Sequence, residues 1–196
     1  MINGQKITLG PLMPTDFGAM FRWINDADAA RLDLAYRPTD WSTFYSWTES
    51  LSKDQTRIVF SIRKLNEPPS IGFVGFSCIN AVHRSADLSI RIGEEADRHR
   101  GYGTEAIRLA LDFAWRHMNL HRIALTALAH NERAIRTFEA AGFEREGLSR
   151  SACFIAGRWC DVVTMGALSP ASSQGAGPIP LSEMAGSARS SRGGAA

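Results

Sequence analysis

The sequence predicts a mixed α/β domain built around one mainly antiparallel sheet, with helices packed on both faces of the sheet. Short segments of alternating apolar residues, such as residues 86–92, outnumber the segments with helical periodicity. Residues 103–117 repeat apolar side chains at every fourth position, which predicts one amphipathic helix. Two strand-like segments flank the turn Ala156-Gly157-Arg158 near the end of the chain and predict a hairpin.

The N-terminal half of the chain is predicted to contain three strands and two helices. Pro14-Thr15-Asp16 begins the first helix, because proline and an acidic residue suit the first helical turn. Asp40 caps the second helix with its carboxylate. Asn66-Glu67-Pro68-Pro69 forms the turn between the second and third strands. The strands are predicted at 6–12, 57–63 and 71–79, and the helices at 14–23 and 41–51.

The C-terminal half is predicted to contain four strands and two helices, which brings the sheet to about seven strands. Leu88, Ile90 and Ile92 alternate along the first of these strands, and the amphipathic helix follows it. A shorter helix follows the next strand. The strands are predicted at 86–92, 122–129, 143–154 and 159–168, and the helices at 103–117 and 132–141.

Length and composition indicate one globular domain. The chain has 196 residues, of which 44% are hydrophobic and 21% charged, and this length leaves little room for a second full domain. The segment 169–196 consists mostly of Ser, Ala, Gly and Pro, so it cannot bury enough apolar surface to offset the entropy of ordering. We therefore predict a folded domain at 1–168 and a disordered tail at 169–196.

Charge, hydropathy and the cysteine pattern argue against several classes of protein. The net charge of +2 does not indicate a nucleic-acid-binding protein. No apolar run approaches the roughly 20 residues that cross a membrane, and the N-terminus lacks the pattern of a secretion signal. Cys78, Cys153 and Cys160 form no CxxC pair, so we expect no disulfide framework, no metal site and a cytoplasmic location.

The sharpest motif is Arg98-His99-Arg100-Gly101-Tyr102-Gly103-Thr104, which lies between the strand ending at Ile92 and the amphipathic helix. Its glycines let the backbone approach a ligand closely. The start of the helix presents unpaired N–H groups and a partial positive charge, and the arginines add full charges. Together these groups predict a binding site for a pyrophosphate.

Three other interpretations of this motif compete with a pyrophosphate site. A P-loop is excluded, because no Gly-Lys-Ser/Thr follows the glycines. Residues 101–106 fit the dinucleotide pattern GxGxxA, but the first glycine lies well past the strand and no ribose-binding acid closes a second parallel strand. A plain helix start with surface arginines stays open from this motif alone.

Together with a second motif, the sequence resembles the GNAT acetyltransferases. Arg98-x-x-Gly101-x-Gly103 matches the acetyl-CoA signature of that family, and residues 131–143 resemble its second cofactor segment. The similarity extends over residues 5–168, and the branch it resembles contains the ribosomal-protein-alanine acetyltransferases and relatives that acetylate spermidine and amino sugars. The resemblance implies a GNAT fold with a V-shaped splay between two strands, and acetyl-CoA as the cosubstrate.

The resemblance also implies where acetyl-CoA binds. The pantetheine arm fits between residues 86–92 and 122–129, the pyrophosphate lies on the N–H groups of residues 98–104, and Asn131 hydrogen-bonds the arm. Asn131 can equally serve as a helix N-cap, and the nearby arginines can equally be solvated. The cofactor-binding residues are predicted to be Ile90, Arg91, Ile92, Arg98, His99, Arg100, Gly101, Tyr102, Gly103, Thr104, Asn131, Arg133 and Arg136.

Acetyl transfer to an amine needs an acceptor for the amine proton, a donor to the oxyanion and, optionally, an acid for the CoA thiolate. Backbone N–H groups at the splayed strands can serve the oxyanion. The GNAT family often has Tyr as that acid where Phe138 stands, and Phe cannot donate a proton. A thiol with a pKa of about 8.5 leaves tolerably well unaided, so the loss argues for water or another acid.

Asp87 and His83 are the predicted catalytic residues. Asp87 lies beside the cofactor in opposite pleat phase to Leu88, and it can hold a water that takes the amine proton or hold the ammonium group itself. Arg91 shares the phase of Asp87 and can pair with it. A solvated strand acid and a loop histidine are the plain alternatives. For Cys78 a buried structural role is favoured over an acyl-enzyme, because no paired base is apparent.

The acceptor pocket is predicted near the first two helices, with Trp23, Asn25 and Asp26 as substrate-contacting residues. They resemble a WxND segment of the same branch, and can equally form a helix C-terminal turn. The predicted acceptor is an amine on a small molecule or on a protein N-terminus. We expect no nucleic-acid or membrane partner, and the sequence allows a homodimer. The alternative function is a non-catalytic acyl-CoA-binding or interaction module on the same scaffold.

Overall fold

The computed structural model describes residues 1–30 and 37–170. The strands are β1 (Ile2–Asn3), β2 (Ile7–Pro11), β3 (Ile58–Lys64), β4 (Ser70–Asn80), β5 (Ser85–Ile92), β6 (Arg122–Leu128), β7 (Glu144–Ile155) and β8 (Arg158–Leu168). The helices are α1 (Phe17–Ile24), α2 (Ala27–Ala30), α3 (Trp41–Ser50), α4 (Tyr102–Arg116) and α5 (Glu132–Ala141). The strands form one sheet in the order β1-β2-β3-β4-β5-β6-β8-β7, so the predicted mixed α/β fold is confirmed.

The parallel pair of strands in this otherwise antiparallel sheet is β5 with β6. Residues 85–87 of β5 pair with residues 122–124 of β6. Beyond Asp87, β5 stays paired with β4 as far as Ile92. Beyond Ala124, β6 stays paired with β8 as far as Leu128. The two strands therefore separate after Asp87 and Ala124, which is the V-shaped splay that the resemblance implied.

Helices cover both faces of the sheet, because successive strand residues point to opposite faces. On one face, α4 and α5 pack over the larger core, which includes Ile62 and Ile107. On the other face, Met20 and Trp23 of α1 and Phe44 of α3 form a smaller core. Removing these apolar side chains from water supplies the main stabilising free energy of the fold.

The predicted bounds of the strands and of the three later long helices lie within one residue of the observed bounds. The first helix differs, because residues 14–16 form a 3-10 turn and α1 begins at Phe17. The Asp16 carboxylate accepts hydrogen bonds from the Met13 amide at 2.8 Å and from the Arg63 guanidinium at 2.6 Å, which fixes this turn. β1 and α2 were not predicted, since two and four residues show no readable periodicity.

The end of the described chain bears on the predicted domain boundary. β8 ends at Leu168, and the buried Ser169 donates its amide hydrogen to the His121 carbonyl at 2.9 Å. Residues 171–196 of the predicted tail lie outside the described residues, so the boundary and the disorder of the tail stay predictions. Within the described ranges, no helix has both the length and the apolar character to span a membrane.

Candidate active site

An open cleft of about 950 Å³ lies where β5 and β6 separate. Residues 88–92 of β5 and 125–128 of β6 form its walls. Asp87 and Ala124, the last paired residues, lie at its narrow end, which we call the vertex. The segment before α4 and the first turns of α5 line the opposite, wide end.

The splay leaves one edge of β5 open to a ligand. At Val74 and Gly72, β4 pairs with Ile90 and Ile92 on one side of β5. On the other side, pairing with β6 in the described chain stops at Asp87. The backbone groups of residues 88–92 that face β6 can therefore bind an extended ligand as an added strand. The predicted pantetheine contacts lie on this edge.

Backbone geometry makes the loop before α4 suited to an anion. His99 and Gly101 both have positive φ, of 62° and 83°, which turns successive N–H groups toward one side. The 15-residue helix α4 begins directly afterwards and carries no side-chain N-cap, so its first N–H groups face outward. A Cβ at Gly103 would make ordinary van der Waals contact with Thr137 Cγ2 at 3.8 Å and Ile92 Cγ1 at 3.9 Å.

Polar contacts from the edge of the sheet hold this loop in place. Lys64 Nζ lies 2.9 Å from Asp97 Oδ1, and Lys6 Nζ donates to the Arg100 carbonyl at 3.2 Å. The Glu105 carboxylate accepts from the Lys6 amide at 2.9 Å. The hydrogen bond to Asp97 raises the pKa of Lys64, so the Lys64 ammonium stays charged at neutral pH.

The predicted cofactor residues divide into two groups. Arg133 Nη1 lies 3.3 Å from His99 Nε2, so these side chains meet across the wide end. Arg100 and Arg136 are absent from the cleft lining, because they point to the Ala96 carbonyl at 2.7 Å and to the Glu132 carboxylate at 3.0 Å. The residues that do line the cleft are Ile90, Arg91, Ile92, Arg98, His99, Gly101, Tyr102, Gly103, Thr104, Asn131 and Arg133.

Asn131 and Phe138 of the second motif face the same cleft. The Asn131 side chain accepts a hydrogen bond from the Ala134 amide at 3.1 Å and caps α5, so its capping role and a place in the cleft coexist. The Phe138 ring packs edge-on against Phe143 at 6.1 Å. Phe138 therefore presents an apolar surface to the cleft, without a hydrogen-bond donor.

The exposed carboxylate of Asp87 lies at the vertex, beside an ion pair. Arg122 Nη1 donates to Glu146 Oε1 at 2.6 Å. This hydrogen bond is the main cause that raises the pKa of Arg122, and the charge of Asp87 adds to the effect. The same hydrogen bond lowers the pKa of Glu146. Arg91, the predicted partner of Asp87, donates to the Trp23 carbonyl.

The structure does not bring the other predicted site residues to the cleft lining. His83 lies in the β4–β5 turn, where its amide donates to Asn80 Oδ1 at 2.8 Å. Trp23 is 7% exposed in the smaller core and donates from Nε1 to Glu94 at 2.9 Å. Asn25 bridges to the backbone of Thr39, and Asp26 accepts from the Asp28 amide. Their functional roles stay predictions.

Two residues that the sequence pattern did not indicate also line the cleft near the vertex. They are Thr126 and Thr164, which are cross-strand partners on β6 and β8. Thr126 could be placed on the face of Ala124 from the alternation of side chains along β6. Its position near Asp87 follows only once the pairing of Ala124 with Asp87 is known.

The expected burial of Cys78 is wrong. Cys78 is exposed, because it lies in an irregularity of β4 where the pairing with β5 shifts between Ser77 and Asn80. The three cysteines are free thiols. In the described part of the chain, no group of three or more His, Cys, Asp or Glu residues is arranged to hold a metal ion.

Comparison with known proteins places this geometry in a family. The acetyltransferase (GNAT) domain family matches residues 6–144. The spermidine N(1)-acetyltransferase of Escherichia coli strain K12 is 34% identical over 168 residues, which cover 84% of this chain and 87% of that protein. The ribosomal protein uS5-alanine N-acetyltransferase of the same strain is 25% identical over 134 residues, 68% of this chain and 69% of that protein.

A Vibrio cholerae relative matches in sequence and in structure. Its spermidine N(1)-acetyltransferase is 38% identical over 95 residues, which are 48% of this chain. The match spans about half the length of that protein, 54%. The crystal structure of spermidine N-acetyltransferase from Vibrio cholerae in complex with CoA and spermine superposes with a TM-score of 0.74 and 28% identity, over 83% of this chain and 95% of that one.

The matches confirm the predicted fold, the predicted N-acetyltransferase class and acetyl-CoA as the predicted cosubstrate. The ribosomal-protein-alanine branch that the sequence resembled is not confirmed, since the two spermidine acetyltransferases match at higher identity. The chain belongs to the GNAT family of acetyltransferases.

Proposed function

We propose that this enzyme transfers the acetyl group of acetyl-CoA to a primary amine of a polyamine such as spermidine. The observation that carries the reaction is the exposed carboxylate of Asp87 at the vertex of the splayed strands. The acceptor class is supported by the spermidine acetyltransferases that are 34% and 38% identical to this chain. A protein N-terminus is the second candidate, because of the similarity to the uS5-alanine enzyme.

In this proposal, the two ends of the cleft bind different parts of acetyl-CoA. The N–H groups of residues 98–104 hold the pyrophosphate, Arg98 and Arg133 supply positive charge, and the His99 ring lies beside Arg133. From Ile92 to Asp87 the open edge of β5 runs about 17 Å, at about 3.3 Å per residue. The pantetheine arm extends along this edge, so the thioester lies at the vertex.

At the vertex, the amine nitrogen forms a bond to the thioester carbon, and the C–S bond then breaks. A polyamine amine has a pKa near that of lysine, about 10.4, so it arrives mainly as an ammonium ion. Asp87 holds this ammonium ion and receives one proton from it, directly or through a water, before the amine attacks. The nitrogen releases its second proton to solvent as the amide forms. A backbone N–H of the open β5 edge donates to the oxyanion, and the CoA sulfur leaves as a thiolate.

A panel of acceptors tests this proposal. The panel contains spermidine, peptides that begin with Ala or Ser, amino-sugar nucleotides and aminoglycosides, and CoA thiol release reports transfer. We expect release with spermidine above release with the peptides. Preference for a peptide would select the second candidate. Acetyl-CoA binding without transfer to any amine would support the non-catalytic binding module instead.

Assembly and location remain open to separate tests. All residues of β7 as far as Ala152 are exposed at the edge of the sheet, and such an edge can pair with a second copy, which supports a homodimer. The three free thiols suit a reducing cytoplasm. Sedimentation and cell fractionation measure these two properties.

A further inference from the structure

We infer that Thr126 is a further catalytic residue, whose hydroxyl donates a hydrogen bond to the CoA sulfur as the thiolate leaves. This inference rests on the proposed acetyl transfer at the vertex. The reaction also needs a group that stabilises the negative charge on the leaving sulfur. Asp87 does not supply it, because Asp87 binds and deprotonates the amine.

The strand register places Thr126 beside the reacting atoms. Ala124 is the residue of β6 that pairs with Asp87. Side chains of a strand alternate, so Thr126 is the next residue of β6 on the face of Ala124, and it is the first on that face beyond the end of pairing. Thr126 is exposed and lines the cleft together with Asp87. The thioester that ends at the vertex therefore passes its side chain.

Thr126 is also chemically suited to the leaving sulfur. Within residues 1–30 and 37–170, its hydroxyl has no hydrogen-bond partner, so the O–H is available to a ligand in the cleft. Phe138, which faces the same cleft from α5, has no donor to offer. A hydrogen bond to a charged atom is about twice as strong as one between neutral groups, so this contact strengthens as the thiolate forms.

The step is balanced without proton transfer from Thr126. The N–C bond forms with the electron pair of the amine, the C–S bond breaks, and its electrons go to sulfur. The ammonium ion gives one proton to Asp87 or to its water before the amine attacks, and the nitrogen releases a second proton to solvent as the amide forms. An alcohol is a much weaker acid than a thiol, so Thr126 keeps its proton, and the CoA thiolate is protonated after it reaches solvent.

Thr164 provides a matched control. It is the cross-strand partner of Thr126 and also lines the cleft. It lies on β8, which is one strand farther from β5. Thr164→Val therefore removes a hydroxyl from the cleft but leaves the hydroxyl of Thr126, which lies nearer to β5.

Single-turnover thiol release, with the enzyme in excess over acetyl-CoA and with saturating spermidine, tests the inference. We expect Thr126→Val to slow the transfer step about tenfold or more, with the acetyl-CoA Kd and the Tm unchanged. Thr126→Ser should keep most of the wild-type rate, and Thr164→Val should lose less than about twofold. Adding Phe138→Tyr to Thr126→Val should restore part of the rate, because a phenol then supplies a donor.

The outcomes separate the two levels of the proposal. If Thr126→Val transfers as fast as the wild type, or if Thr164→Val is equally slow, the role of Thr126 is wrong while the acetyl transfer stands. If the wild type releases no thiol with any amine of the panel, the proposed function fails, and the role of Thr126 fails with it.

Discussion

Asp87 and Ala124 are the last residues that β5 and β6 pair before the two strands separate. In the proposed complex this pair sets where the extended cofactor ends, because the backbone edge of β5 beyond it is open and the edge before it is occupied. It also selects the side chains that meet the end of the cofactor, since only those on the face of Asp87 point to the acceptor side.

Gly101→Val should abolish the rise in Tm that acetyl-CoA causes. Gly101 has a φ of 83°, which a β-branched residue adopts at a cost of about 1–3 kcal/mol. The valine side chain would also crowd the N–H groups of the proposed pyrophosphate site. Acetyl-CoA at about 100 times its Kd stabilises the wild type by about 2.7 kcal/mol. Differential scanning fluorimetry with and without acetyl-CoA measures the effect.

Gly18→Ala is the control for this substitution. Gly18 lies on the exposed side of α1, and a Cβ there meets open space. Helix propensity predicts a gain of up to about 1 kcal/mol, with an unchanged response to acetyl-CoA. A normal acetyl-CoA shift in Gly101→Val would remove the loop from the cofactor site.

Lys64→Met should raise KM for acetyl-CoA about three- to tenfold and leave kcat nearly unchanged. Lys64 lies 2.9 Å from the buried carboxylate of Asp97, which directly precedes residues 98–104. Its loss leaves that carboxylate without this partner and loosens the proposed pyrophosphate site. Because the pKa of Lys64 is raised, the stabilising pair is fully present below the ordinary lysine pKa and is lost only as pH rises through the raised value.

Two variants sharpen the Lys64 experiment. Lys64→Arg keeps the charge and should restore most of the acetyl-CoA affinity, whereas Lys53→Met removes an exposed charge far from the loop and should change nothing. Steady-state kinetics with each substrate varied separates KM from kcat. A fall in kcat alone would contradict a positioning role for Lys64.

Glu146→Gln should lower stability at neutral pH and have little effect in acid. The Arg122 hydrogen bond lowers the pKa of Glu146, so its stabilising contribution is present above the ordinary carboxyl pKa and is lost as pH falls through the lowered value. The pair is partly exposed, so we expect a difference below about 1 kcal/mol at pH 7. Urea unfolding at pH 7 and in acid measures it, with Glu144→Gln on the same strand as the control. An equal loss at both pH values would contradict this electrostatic origin.

Ending the chain after Pro170 should preserve both the Tm and the acetyl-CoA response. The hydrogen bond from the Ser169 amide to His121 is then kept, and the Ser-, Ala-, Gly- and Pro-rich segment that follows contributes no predicted core. Scanning fluorimetry of the full and shortened chains compares them. A large drop in Tm would show that the tail is part of the domain.

Much of the fold could be predicted from the sequence, because local patterns specify it. The fourfold repeat of Ala106, Ala110 and Ala114 predicts α4 to within one residue, and all three side chains are fully buried in the structure. Asn131 predicts the start of α5 as its N-cap. The site motif could be located for the same reason, since the helix start and the glycines of residues 98–104 are local features.

The acceptor side could not be predicted, because it depends on contacts between distant segments. Trp23 has the sequence context of a substrate residue, yet its indole fills space above Gly93, where a Cβ would lie 2.0 Å from the ring. Thr126 appears in the sequence as an ordinary strand residue, and its place near the vertex follows from the pairing of Asp87 with Ala124. Register and side-chain packing decide such positions, and neither is encoded in a short motif.

The central claim is that acetyl transfer takes place at the vertex and that Asp87 holds and deprotonates the amine. The kcat/KM of Asp87→Asn tests this claim most directly. Asp112→Asn, the same change on the exposed side of α4, is the control. We predict that Asp87→Asn lowers kcat/KM for the amine about 100-fold or more, while the acetyl-CoA-induced rise in Tm stays at the wild-type value. A kcat/KM within about twofold of the wild type would contradict this mechanism.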